Sequence, residues 1–366
     1  MTADSGRCSV TGSETTSAPV NLAGIRKQVD GILDRFLRQQ AHSLEKRGLP
    51  REITDIVHDF VFAGGKRLRP TLVALGWLAA GGDSAVPTPV IQVAAALELC
   101  HTAVLVHDDI IDNSDTRRNR PTVHRVVSQR YRTRPDADRF GMRAAILLGD
   151  LVMLWCDEML HTAQLTPAQT ATVIPIFDTM RTDVIYGQYL DLATSGLSGG
   201  DVEKALEIVR YKTSSYTFEC PLRMGAALAD ASIRIQQDLR AYAGPLGVAF
   251  QLQNDLEGVY GAGASSLDDL REGKHTALLA FAVRHADPAQ SARLYELVGN
   301  PELDASGAAT CREIFDIVAR GQVQQMIRTR WERAQGVLDR ATFPMAVKDA
   351  LRAVADNVTR GITWMR

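Results

Sequence analysis

The sequence predicts an all-α protein: a single-domain helical bundle around a central apolar cavity. Three observations carry this expectation. Alanine- and leucine-rich segments with helical periodicity recur along almost the whole chain. Strand-like alternation of apolar and polar residues is hardly seen. The breaks between segments are short, with no Pro/Gly/Ser linker and no repeat of fixed period. At 366 residues, with 45% hydrophobic and 23% charged types, the chain can bury a sizeable core. Aromatics make up only 6%, which suits long apolar helices enclosing an extended ligand.

Taken in order, residues 1–20 are Ser/Thr/Gly-rich and lack large apolar side chains, which predicts a disordered tail ahead of one domain spanning 21–366. Helical patterns follow at 22–48, 51–63, 70–80 and 88–113, with GGDSAVPTP as the break before the last. NRPTVH and TRPDAD mark the next loops, ahead of a helix at 141–163. In TPAQTATVIPIF, Thr166 serves as N-cap, Pro167 as first helical residue and Gln169 as partner in a capping box. Pro175 falls inside that helix, where it is expected to kink it. TSGLSGG separates this helix from 201–230 and 235–260; GAGASS precedes 274–286, 309–340 and 345–360.

Lys plus Arg number 41 against 43 Asp plus Glu, a formal net charge of −2. No global basic field therefore exists for nucleic acid or an anionic membrane, and any polyanion must be bound locally. Five scattered cysteines (Cys8, Cys100, Cys156, Cys220, Cys311), without a C-x-x-C pair, suggest reduced thiols in a cytoplasmic protein and argue against zinc. The N-terminus has no apolar signal region. The most apolar stretch, Val90 to Val106, is interrupted by Gln92, Glu98 and His101, so no integral membrane span is expected.

Four constellations carry chemistry. In ELCHTAVLVHDDIIDNSDTRRNRPTVH, Asp108 and Asp112 are one helical turn apart and point to one face, a geometry that can clamp Mg²⁺ with phosphate oxygens and water completing the shell. Acids at a helix C-terminus oppose the macrodipole, which argues for a cation there rather than a solvated face. His101 lies about 20° away in projection, so spacing puts it on that same face. Arg117, Arg118 and Arg120 follow as salt-bridge partners or as a clamp for a second anion. In AGGKRLRP, Gly64 and Gly65 let the backbone approach an anion beside Lys66, Arg67 and Arg69, although a solvated basic turn would look similar. YKTSSYTFECPLRMGAALA places Lys212 and Thr213 in a polar stretch that is either a cavity wall or a Ser/Thr-induced bend. AFQLQNDLEGVYG aligns Gln251, Asn254, Asp255 and Gly258, with Asp255 and Glu257 on different faces.

In this order GGKRLRP, HDDIID with RRNRPTVH, ILLGD, GQYLDL, YKTSSYT, FQLQND and DDLREGK resemble the trans-isoprenyl diphosphate synthases, the polyprenyl synthetase family. The resemblance implies the all-α prenyltransferase bundle, a homodimer, and Mg²⁺-dependent condensation of an allylic diphosphate with isopentenyl diphosphate. It implies that Asp108, Asp112 and Asp255 serve the metal, and that Arg117 and Lys212 hold the allylic diphosphate. Gly65, Lys66, Arg69, His101 and Arg118 would hold isopentenyl diphosphate, and Lys274 is the family-like lysine of the last motif. Thr213, Gln251 and the Lys212 carbonyl would face the developing allylic cation. Ala103 and Val104 before Asp108, with Met153, Leu154 or Trp155 on the next helix, would set chain length, and alanine at 103 implies a tunnel open beyond fifteen carbons, to geranylgeranyl diphosphate.

The chain departs from the family at the second acidic motif, usually D-D-x-x-D, which here reads Asn254-Asp255-Leu256-Glu257-Gly258. An amide oxygen is a neutral, weaker ligand for a hard cation. That departure keeps two alternatives open: a class I terpene cyclase on the same scaffold, and a non-catalytic partner subunit. Both anion motifs are complete, which favours the synthase.

Overall fold

The computed structural model describes residues 18–196, 199–261 and 267–359. The expected disordered tail, except its last residues, and most of the GAGASS loop lie outside them. Helix α1 (Leu22–Lys46) shows how the pattern becomes structure. Asn21 caps it by accepting from Gly24 N at 2.8 Å, and Ile25, Val29, Leu33, Leu37 and Ala41, spaced by four, form its buried stripe. Then come α2 (Glu52–Val61), α3 (Leu68–Ala79) and α4 (Thr88–Ile111). Helix α4 is the central pillar, buried on all sides through Val90, Val93, Ala94, Leu97 and Ala103. Among the described residues it is the one helix long and apolar enough to cross a membrane, with mean hydropathy 1.7, but 72% of that stretch is buried in the bundle.

A two-stranded hairpin follows, Thr116–Arg117 paired antiparallel with Arg120–Pro121. Its two loop residues, Arg118 and Asn119, both have positive φ (54° and 61°), as the tightest hairpin turns require. Helices α5 (Val123–Arg130), α6 (Ala137–His161) and α7 (Pro167–Thr194) come next. The Thr166–Gln169 capping box forms as expected, and α7 continues through Pro175.

The segment 201–230, expected as one helix, is three: α8 (Val202–Val209), a π-helix (Arg210–Glu219) and α9 (Cys220–Leu228). The remainder is α10 (Ile233–Tyr260), α11 (Asp268–Glu272), α12 (Ala277–His285), α13 (Pro288–Leu297), α14 (Ala305–Val318), α15 (Arg320–Arg340) and α16 (Met345–Val358). The predicted helix 309–340 breaks at Ala319, whose φ of −136° interrupts the ladder between α14 and α15. Three helices were not expected: α5, α11 and α13. The last carries a readable signal, Asp287 as N-cap with Pro288 and a Gln290 capping box.

Candidate active site

The C-terminal end of α4 opens into a cavity of about 550 Å³ whose wall includes Asp108, Asp112, Arg117, Lys212, Thr213 and Lys274. Asp112 is the C-cap residue of α4, one turn beyond Asp108, so the spacing does bring both carboxylates to one cavity. Each is paired with a lysine. Lys212 Nζ lies 3.4 Å from Asp108 Oδ1 and 2.6 Å from Asp191 Oδ2; Lys274 Nζ lies 3.0 Å from Asp112 Oδ2. Arg117 adds a fork, with Nη2 donating to Asp108 at 3.0 Å and Nε to Asp109 at 2.6 Å.

These charges split the acids electrostatically. Burial raises the Asp108 pKa, but Lys212 and then Arg117 outweigh it and hold that carboxyl below its ordinary range. Burial and the Asp108 charge push Asp112 upward, and burial lifts Asp109 to about 6. Lys212 and Lys274 lie against Asp108 and Asp112 as their ammonium partners.

The donor set fits Mg²⁺. Asp108 Oδ1 is buried at the cavity wall without a well-aligned hydrogen bond, its one close partner being the Lys212 ammonium at 3.4 Å, where a hard cation could compete. Among the described residues no three His, Cys, Asp or Glu side chains converge closely enough to hold a metal alone. Mg²⁺ asks for no such cage, since it is commonly bound by one or two carboxylates with water and substrate phosphates.

Lys212 and Thr213 sit in the π-helix, a form with wider turns that recurs at functional sites. Its backbone is approached directly by α7. A Cβ at Gly187 would lie 2.3 Å from Lys212 N, so only glycine at the start of GQYLDL permits this contact. Thr213 donates to Gln251 Oε1 at 2.8 Å, and Gln251 Nε2 donates to Asp255 Oδ1 at 2.7 Å. Burial raises Asp255 to about 7 and Gln251 already occupies one of its oxygens, so Asp255 is a poorer metal ligand than its motif implies.

A second cavity, about 910 Å³, is lined by Gly65, Lys66, Arg69, His101, Thr217 and Phe250. Here the structure corrects the spacing argument. His101 belongs to this cavity and not to that of Asp108. Gly64 and Gly65 adopt φ of +111° and +131°, and Arg118 Nη1 donates to Gly64 O, tying the hairpin to the glycine turn. Arg67 turns inward to Asp30 and Glu98, at 2.8 and 2.9 Å, and anchors the turn. Arg69 lies over the Tyr216 ring, 4.2 Å from its centre, and donates to Thr217 at 2.7 Å.

His101 Nδ1 is 2.7 Å from the Tyr216 hydroxyl. Burial and the neighbouring arginines, Arg69 first, hold His101 well below its ordinary pKa, so it is neutral. In the tautomer where Tyr216 donates to Nδ1, Nε2 carries the proton and is the donor left for an anion. Arg118 and Asn254 line both cavities and mark where they meet.

Sequence reasoning missed Asp191, which holds Lys212, and the acids that converge on Lys274. Asp269 Oδ1 lies 3.1 Å and Glu272 Oε2 3.0 Å from Lys274 Nζ, and both acids line the first cavity. Asp269 also fills the space beside Gly258, one of the two positions where the second motif lacks an acid. A Cβ built on Gly258 would lie 2.0 Å from Asp269 Oδ2. GQYLDL and DDLREGK held these residues in plain view, but no spacing links them to Asp108.

The chain-length residues differ from expectation. Ala103 and Trp155 are buried in the core and Val104 is packed against it, and none of the three lines either cavity. The bundle is closed around Ala103 because α6 packs along α4, burying Val152, Trp155 and Cys156 with it. Leu154 is 65% exposed and faces out of the bundle, so it cannot form a floor.

The polyprenyl synthetase family model matches residues 50–333. Among characterised proteins, the chain is 32% identical over 244 residues to a short chain isoprenyl diphosphate synthase of Methanocaldococcus jannaschii, covering 66% of this chain and 69% of that protein. It is 30% identical over 285 residues to a geranylfarnesyl diphosphate synthase of Aeropyrum pernix, covering 76% and 84%. Among solved structures, a geranylgeranyl pyrophosphate synthase from Corynebacterium glutamicum, complexed with isoprenyl diphosphate and magnesium, superposes with a TM-score of 0.88 at 34% identity, covering 93% of this chain and 99% of that one.

Proposed function

The chain belongs to the polyprenyl synthetase family, and on that premise we propose that it condenses an allylic diphosphate with isopentenyl diphosphate to a linear all-trans product, geranylgeranyl diphosphate. The observation that carries this reading is the pair of adjoining cavities, one walled by carboxylates and lysines, the other by Lys66, Arg69 and His101. Two substrates that each bear a diphosphate need two clamps. A cyclase, which ionises one diphosphate, has no use for the second, and a non-catalytic subunit has no use for the carboxylate pair.

The residues then divide the work. Lys212 and Arg117 hold the allylic diphosphate, while Lys66, Arg69, His101 and Arg118 hold isopentenyl diphosphate beside it. Asp108 and Asp112 fit Mg²⁺, which when bound supplies charge neutralisation for the departing diphosphate. The allylic C–O bond breaks, the isopentenyl double bond attacks the allylic carbon to form the new C–C bond, and a proton leaves to the released diphosphate. Thr213 and Gln251, locked together at 2.8 Å, present fixed dipoles to the developing cation. Buried apolar walls keep water from quenching it.

Support for a homodimer comes from an exposed apolar face on α6 and α7, where Leu147, Leu154, Ile185 and Tyr189 are each at least 63% exposed. The described cysteines, Cys100, Cys156, Cys220 and Cys311, are free and buried, which suits a reducing cytoplasm.

The test is incubation with Mg²⁺, isopentenyl diphosphate and each allylic diphosphate in turn, with products identified by mass spectrometry. The expected product is linear with twenty carbons. A cyclic hydrocarbon formed without isopentenyl diphosphate would overturn the reading. Asp108→Asn and Asp112→Asn should each lower turnover by about two orders of magnitude or more, the scale of losing one charge-stabilising group. Ala103→Phe overpacks a closed core and should lower the melting temperature; a product shortened to fifteen carbons would place the growing chain beside Ala103. An unchanged product would mean that the chain grows along another path.

A further inference from the structure

On the far side of the π-helix from Asp108 lies a cleft that the condensation does not use. It is bounded by Arg210, Ser214 and Ser215 of the π-helix, Gly244 of α10, and Arg330 and Arg333 of α15, and encloses about 650 Å³. It shares no lining residue with either catalytic cavity.

What sets this cleft apart is its charge. Arg210, Arg330 and Arg333 form no ion pair among the described residues, whereas Arg328 and Arg320 on the same helix reach Glu332 and Asp316 at 3.0 and 2.9 Å. Two nearby acids are engaged elsewhere, and a third, Glu203, acts on Arg330 through space without forming an ion pair. Glu207, one turn before Arg210, holds Lys204 at 2.8 Å. Glu219, which lines the cleft, is held by Arg223 at 3.3 Å and Arg240 at 3.1 Å. Arg330 and Arg333, three residues apart on one helix, repel each other. Burial disfavours the Arg330 cation, Glu203 pulls the other way, and the Arg333 charge adds a smaller push against it. The floor is open: a Cβ added at Gly244 would meet nothing within 4 Å. Such an arrangement leaves unbalanced positive charge around an open space between two helices.

We propose that this cleft binds a phosphate-bearing anion, clamped between Arg210 on the π-helix and Arg330 and Arg333 on α15. Guanidinium forks suit the tetrahedral oxygens of phosphate, and three of them converging from two elements suit a doubly charged group. The anion has two sources, free phosphate and the inorganic diphosphate released by condensation, the latter resting on the function proposed above. Occupancy braces the π-helix against α15 two residues before Lys212.

The experiment is calorimetric titration of the full chain, in chelator without Mg²⁺, with inorganic phosphate and separately with inorganic diphosphate. The wild type is compared with Arg330→Gln/Arg333→Gln and, as an independent variant on the other wall, with Arg210→Gln. The expected result is a binding event that weakens at least tenfold in both variants, while diphosphate binding at the catalytic cavities persists. A weakened event with either anion supports the site: tenfold preference for diphosphate identifies the reaction product as the source, and equal binding identifies phosphate. Isotherms unchanged for both anions overturn the proposal. If the double variant fails to fold, the comparison with Arg210→Gln decides alone.

Discussion

At the scale of the residue, Asn254 and Gly258 are where this chain leaves the acidic pattern of its family, and Asp269 is where the fold answers. Gly258 cannot carry a side chain without displacing the Asp269 carboxylate, whose Oδ2 lies 2.0 Å from the position of a Cβ there. Asp269 of α11 thus puts a carboxylate beside Gly258, one of the two positions where the motif lacks an acid. Asp269→Ala should raise the Mg²⁺ concentration for half-maximal condensation several-fold, and Asn254→Asp, which adds a hard anionic ligand at the junction of the two cavities, should lower it. Thermal stabilisation by Mg²⁺ with inorganic diphosphate should move in the same two directions. An unchanged Mg²⁺ requirement in Asp269→Ala would mean that this carboxylate serves only Lys274. The departure at 254 and 258 was legible because a motif is local. Its compensation was not, because it depends on two helices meeting in space.

At the scale of the element, local signals were read well and continuous ones were not. The Thr166 cap, the start of α4 and the extent of α10 follow from caps, prolines and periodicity. The π-helix did not, because its flanking residues keep near-α dihedrals (Val209 φ −54°, ψ −40°; Cys220 φ −63°, ψ −44°) and no breaker marks it. Its position is set by close helix crossings. Helices α3 and α9 cross with glycines facing backbone: a Cβ at Gly225 would lie 1.8 Å from Val73 O, and one at Gly76 2.0 Å from Leu222 O. Helix α3 carries Arg69, which reaches Thr217 on the π-helix at 2.7 Å, so this crossing also spaces the second anion cavity. Gly225→Ala forces two backbones apart and should cost about 1–3 kcal/mol, in the range of overpacked cores. It should also raise the apparent KM for isopentenyl diphosphate more than that for the allylic substrate. Wild-type stability and KM together would show that α3 and α9 can slide without moving Arg69.

At the scale of the whole molecule, the sequence could place apolar stripes but not say which of them face outward. Ile185, Tyr189 and Leu192 follow i, i+4, i+7 spacing on α7, a helical stripe like the i, i+4, i+8 one that buries Ile25, Val29 and Leu33 on α1, yet they are 63%, 65% and 57% exposed. Leu147 and Leu154 on α6 extend the face, and Arg181 of α7 pairs with Asp157 of α6 at its border. Contiguous apolar surface of this kind marks an interaction site on soluble proteins, and a second copy of the chain offers a self-complementary partner. The opposite side of α7 bears Gly187 against the Lys212 backbone and Asp191 on its ammonium, so an interface here stiffens the helix that holds Lys212. Sedimentation equilibrium should therefore find a dimer, and Leu147→Glu/Tyr189→Glu should dissociate it by placing unpaired carboxylates at the centre of the face. Turnover should fall with the dimer fraction and recover at high protein concentration if dissociation is the cause. A double variant that stays dimeric, or a monomer with full turnover at every dilution, would separate this face from both assembly and catalysis.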